Sequence, residues 1–270
     1  MSIFTLPVHS VENTRIYISS SQRTPDRQLT MISQTIETMI GDIVSILPVP
    51  HPHSVQVHRL ERGTGREFLD ELEKGFDQGR YVSRVTPSVF ASQREDPRIP
   101  RGEYNVLFVG TKEEFQDYNT EHEVAHPHLV AQLASLYKER YWGFLVVSIQ
   151  EGYCAYDPLV YSHQMEGPRF FVPTLHHYPE TIRDQTIQEE STRWDHTLFL
   201  NGTYSEDDSR FQEINPMRLN RIPWGVLPKG FGYALRHLVM KKMRGYGQNL
   251  DMTAESRIHA DQEGRLRIDE

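Results

Sequence analysis

The spacing of apolar positions divides the chain into segments of recognisable period. Residues 14–19, TRIYIS, form a β-prone run. Residues 24–47, TPDRQLTMISQTIETMIGDIVSIL, set Leu29, Ile32, Ile36, Met39, Ile40, Ile43 and Leu47 at helical spacing. Thr24 can cap such a helix, Pro25 suits its first position, and Asp26 complements the positive end of the helix dipole. Residues 54–60, SVQVHRL, alternate as a strand does. Strand, helix and strand in that order predict an N-terminal α/β-type unit.

The same reading predicts a helix over 65–76, a buried-type strand over 104–110 and a helix over 128–142. A hairpin over 143–158 would turn at Glu151-Gly152. Strands follow over 169–178 and 193–202, and a last helix over 229–245 would be closed by Gly245. Residues 83–103 are rich in Pro and Arg and read as an irregular loop. The expected organisation is one globular domain over residues 1–250 and a polar tail over 251–270. The fold class is α+β or α/β, a mixed β-sheet with several packed helices.

Composition narrows the class. Hydrophobic residues at 37% against 24% charged can build a core, which excludes a disordered chain. The single cysteine, Cys154, cannot form an internal disulfide, which points to a reducing compartment. No apolar run approaches the roughly 20 residues of a membrane span, and no basic start leads into an apolar stretch, so the expected location is cytoplasmic.

Charge changes the picture more. The net charge of −8 argues against a protein that coats nucleic acid with its whole surface. Yet Ile214 to Leu250 contains no Asp or Glu and seven cations, which leaves −15 on the rest. On a helical wheel, Phe231, Ala234, Leu235, Leu238 and Val239 fall on one side of the last helix. Arg236, Lys241 and Arg244 fall on the other and are the candidate anion ligands, for nucleic-acid phosphate or a phosphorylated small molecule. The plain alternative is that this segment pairs with the chain's own acidic remainder.

Two histidine groups carry candidate chemistry. His122-Glu123-Val124-Ala125-His126 fits the H-E-x-x-H zinc pattern, which requires both histidines on one helix face. Pro127 opposes that helix, because its ring clashes with the carbonyl four residues back and pushes His126 out of helical geometry. The expectation is therefore a linker, with Pro127 opening the next helix. The second group is LHHY at 175–178 and WDH at 194–196. If their strands form an antiparallel hairpin, His176 lies opposite His196 and His177 opposite Asp195. His176, His196 and Asp195 could then hold Zn or Fe, or His176, His177, Asp195 and His196 could serve acid–base chemistry. Two functions follow. One is a hydrolase-type enzyme, metal-dependent if the histidine group holds Zn or Fe, acting on a phosphate-bearing substrate. The other is a non-catalytic nucleic-acid-binding or interaction protein, cellular or viral, docking through the basic helix.

Overall fold

The computed structural model describes residues 3–21, 23–38, 41, 43–76, 99–167, 169–179, 186–187, 192–202, 212–214, 216–232, 238–247, 251–255, 258–260 and 266–268. The chain opens with β1 (Ile3–Phe4), β2 (Ser10–Ser20), β3 (Arg27–Thr38), β4 (Ile43–Pro50) and β5 (Gln56–His58). Helix α1 (Thr64–Phe76) follows, then β6 (Arg101–Gly102), β7 (Asn105–Thr111), α2 (Lys112–His122) and α3 (Pro127–Leu136). Next come β8 (Trp142–Ile149), β9 (Gly152–Tyr156), β10 (Leu159–Gln164) and β11 (Arg169–Val172). The last strands are β12 (Thr192–Asn201), β13 (Gln212–Glu213), β14 (Leu238–Gly247), β15 (Met252–Glu255), β16 (Ile258–Ala260) and β17 (Leu266–Ile268). The class is α+β, mostly β. Among the described residues no helix is long and apolar enough to cross a membrane.

The N-terminal helix expected over 24–47 is not formed; those residues build β3 and β4. The reason lies in burial on both faces. In β3, Leu29 and Met31 pack on one side of the sheet, while Ile32 packs on the other. Thr30, Ile32, Thr35, Ile36 and Thr38 are β-branched, which favours the pleated backbone. Almost every position is buried, so no polar alternation advertises the strand, and apolar residues of two faces imitate one helical stripe.

Two sheets stack. The larger runs β13-β14-β12-β2-β3-β10-β5, with β9 also on β3 and β6 on β9. The smaller runs β1-β4-β8-β7. Ile16, Ile32, Tyr161 and Leu198 of the large sheet meet Leu47, Val49, Leu145 and Val147 of the small one in a shared core. Helix α1 and the 3₁₀ turns at Pro216–Arg221 and Trp224–Val226 cover the outer face of the large sheet through Phe68, Leu69, Leu72 and Ile222. Helices α2 and α3 cover the small sheet through Phe115, Leu129 and Leu133 against Ile46, Phe144 and Val146. The result is four layers, each amphipathic element burying its apolar face on a sheet.

Three local outcomes differ from expectation. The turn at Glu151-Gly152 exists, with Gly152 at φ 102°, but β8 and β9 leave it for different sheets, so it is a corner and not a hairpin. Of the basic helix expected over 229–245, residues 233–237 lie outside the described residues, and from Leu238 the chain forms β14, which pairs with β12 from Asn201↔Leu238 to Thr192↔Gly247. Leu238 and Met240 face α1 while Val239 faces the inter-sheet core, so a doubly buried strand again mimicked a helix. Lastly, residues within 251–270 enter strands: β15 pairs with β11, and β16 with β17. The Pro/Arg-rich loop expected at 83–103 falls, up to residue 98, outside the described residues.

Candidate functional site

The histidine pair meets, though not by the expected route. β11 stops at Val172 and pairs with β15, while His196 lies on β12 between β2 and β14. The predicted hairpin is therefore absent. Even so, the rings of His176 and His196 stack with centroids 5.4 Å apart. The Tyr178 ring lies on the other face of His176 at 5.1 Å and nearly parallel. His176 and His196 are buried and Tyr178 is half-buried, and the His176 Nδ1–H can donate to Thr174 O at 3.1 Å. Burial pulls the His176 pKa down to about 2, so its imidazole stays neutral. A base that weak accepts protons poorly near neutral pH.

The other two members are tied into the fold by further contacts. His177 is buried, and its carbonyl accepts the Phe4 N–H at 3.0 Å. Asp195 accepts the Asn13 N–H on Oδ2 at 3.1 Å. Its charge, second to burial, raises the pKa of Tyr178. Among the described residues no group of three or more His, Cys, Asp or Glu side chains is arranged to hold a metal ion.

The HEVAH stretch behaves as Pro127 requires. His122 ends α2, and His126 caps α3 from outside, its Nδ1 accepting the His128 N–H at 3.1 Å. Between them Glu123 takes a left-handed conformation at φ 51°. Asn119 clamps the linker, bonding both the N–H and the C=O of Ala125 at 2.7 and 3.0 Å. The two histidines sit on different helices and line an open cleft of about 940 Å³ with Leu6, Val44 and Val130. Helix α2 was not among the expected elements, although the capping box at Thr111 and Glu114 marks its start; the linker's clamp and cleft had no local signature.

The basic segment is partly spent on the chain's own acidic helix. Lys242 pairs with Glu73 of α1 at 2.7 Å, and Arg218 donates to the Lys74 carbonyl near the helix C-terminus. Arg15 pairs with Asp70 on the same helix. Lys241 is half-buried, and the Arg244 backbone lies in register with Asp195. Arg236 lies outside the described residues. Lys241 and Arg244 therefore lie on a strand and not on the expected helix.

One contact no local spacing could have shown is Ser162 Oγ, 2.9 Å from His58 Nε2 and 3.0 Å from an Arg27 nitrogen. It resembles a nucleophile with its base, but Ser162 is only 1% exposed and the bonds tie β10 to β3 and β5. Cys154 is buried on β9, and burial raises its thiol pKa, which disfavours the reactive thiolate.

No family model matches the chain, and no curated protein matches it. Solved structures do. The crystal structure of baculovirus P35 aligns with a TM-score of 0.58 over 94% of this chain and 99% of that chain, at 10% sequence identity. A mutated baculovirus P35 solved after caspase cleavage aligns over 91% and 99%, with a TM-score of 0.47 and 10% identity. At such identity the likeness is one of architecture, and over almost its whole length this chain shares the fold of baculovirus P35.

Proposed function

We propose that this chain is a non-catalytic viral interaction protein whose partner is a protease of the caspase class. The observation that carries the reading is the end-to-end fold likeness to baculovirus P35, a protein whose mutated form has been solved after caspase cleavage. The interior supports a binding role over a catalytic one. The His176–His196 pair is buried and stacked, the His176 imidazole is held neutral, and Arg15, Lys242 and Arg218 engage α1. The hydrolase reading on His176, His177, Asp195 and His196 has no comparable support.

Between α1 and β6 the sequence runs from Asp77 to Pro100 and includes Asp96. A caspase cuts after aspartate but not ahead of a proline ring, so Asp77, which precedes Gln78, is the natural candidate for contact in that stretch, and Asp96, which precedes Pro97, is not. The test mixes the purified protein with active caspases at rising molar ratio. Residual peptidase activity is read with a fluorogenic substrate, and chain integrity by mass spectrometry. The expected result is loss of caspase activity that saturates near equimolar protein, is abolished by Asp77→Ala and is kept by Asp96→Ala. Full caspase activity at a tenfold excess of an intact chain would sink the proposal.

A further inference from the structure

The segment that follows β14 enters the fold through one carboxylate. Asp251 Oδ1 accepts the N–H groups of Thr174 and Leu175, both at 2.7 Å. Its Oδ2 accepts the phenol of Tyr137, the C-terminal cap of α3. Directly afterwards β15 pairs with all four residues of β11. Three elements from distant parts of the sequence thus converge on a single side chain.

The stretch that Asp251 grips leads straight to β1. Residues 173–176 belong to no strand, so their placement depends on what holds them at either end. At the near end is the Asp251 carboxylate. At the far end His177 forms a parallel bridge with Ile3, and its carbonyl accepts the Phe4 N–H at 3.0 Å. β1 is only two residues long and pairs on its other side with Ile46 and Ser45 of β4. A strand that short is marginal without both neighbours. Leu175 also packs in the same cluster as Ile3, Leu133 and Tyr137, so moving its backbone disturbs the layer that buries β1.

We infer that Asp251 is a clasp through which the C-terminal segment holds β1 in the small sheet. Two arrangements exist, clasped and released. In the clasped one the 174–177 span is fixed and presents the His177 carbonyl to Phe4. In the released one two buried N–H groups lose their acceptor and the span no longer defines an edge for β1. This is a positioning role: the hydrogen bonds of Asp251 go to Thr174, Leu175 and Tyr137, and it acts on β1 through the span between. A partner that strips β15 from β11 would thereby loosen the first strand, about 250 residues away in sequence.

Native-state hydrogen exchange tests the coupling residue by residue. Asp251→Ala removes the acceptor, whereas Asp251→Asn keeps an oxygen for Thr174 and Leu175 and turns a donor toward Tyr137. In Asp251→Ala the amides of Leu175 and Phe4 should both exchange at least tenfold faster, with those of Phe68 and Leu69 in α1 unchanged. Asp251→Asn should stay within about threefold of the parent protein at all four. Faster exchange at Leu175 alone would show a local contact without coupling and overturn the inference. Equal acceleration at Phe4 and in α1 would show general destabilisation and overturn it too. If Asp251→Ala does not fold, Tyr137→Phe takes its place. There Phe4 must exchange about threefold faster with α1 unchanged, or the inference fails.

Discussion

Gln28 offers the sharpest test of how the sheets are joined. Its side-chain oxygen accepts the Phe171 N–H at 2.9 Å, and its nitrogen donates to the Phe171 carbonyl at 2.6 Å and to Thr30 Oγ1 at 2.8 Å. One fully buried amide thus does for β11 what a neighbouring strand would do, tying the β11–β15 pair to β3. Gln28→Met keeps the volume and removes every bond. It strands the N–H and C=O of Phe171, each costing about 1–3 kcal/mol when buried without a partner. Methionine recovers part of this, because an amide no longer has to be desolvated, so the net loss should be about 2–4 kcal/mol. A domain of this kind has roughly 5–15 kcal/mol in total. The change should lower the melting temperature by roughly 5–15 °C, at about 2–4 °C per kcal/mol. Gln28→Glu should be worse at pH 7, where a carboxylate faces the Phe171 carbonyl, and should recover as acid protonates it. Calorimetry and urea unfolding of the three proteins measure this. A Gln28→Met protein within about 0.5 kcal/mol of the parent, the range of an ordinary surface change, would refute the account of the splice.

Two further outcomes follow from the same structure. The pKa of His163 is pulled down to about 4 and that of His176 to about 2, both first by burial, so the stability they allow is present above pH 6.5 and drains away as pH falls below it. His176→Phe should flatten the loss between pH 6.5 and 4.5 by about 1.4 kcal/mol per pH unit, one proton's worth, and parallel urea-midpoint curves for the two proteins would contradict it. Gly143→Ala places a methyl against the Gly110 carbonyl and 2.6 Å from Pro52 Cγ, so it should cost about 3 kcal/mol or more, while Gly225→Ala, with open space around it, should unfold within a degree or two of the parent in the same thermal scan.

The parts of this molecule that could be read from sequence are those with one wet face. Helix α1 shows an apolar stripe of Phe68, Leu69, Leu72 and Phe76 against a charged one, and its expected bounds agree with the structure to within a residue. Pro127 announced the start of α3, and with it the failure of HEVAH to align. β3, and β14 over Leu238–Met240, were misread because both of their faces are dry there, so period two never surfaces. The histidine pair shows a different limit. Their proximity was expected from a hairpin that does not exist, and it arises because the chain after β11 turns toward β1 and there meets β12. Pairing between strands some 20 residues apart is a local guess, whereas the true neighbours of β12 are the chain's second strand and its fourteenth.

That last arrangement governs how the protein can be made. β12 lies parallel to β2, from His196↔Thr14 to Asn201↔Ser19, in the middle of an otherwise mostly antiparallel sheet. β2 and β3 can zip together as soon as they leave the ribosome, for only a short turn separates them. The other edge of β2 must then wait for a strand that begins at Thr192, which at about 5–20 residues per second takes roughly 10–30 s to arrive. Through that interval the buried residues Ile16, Tyr17 and Ile18 sit on an open edge able to pair with any passing chain. Closing the sheet by so distant a contact is slow in its own right. Yield in the cell therefore depends on synthesis rate, crowding and chaperone supply as much as on the stability of the finished sandwich.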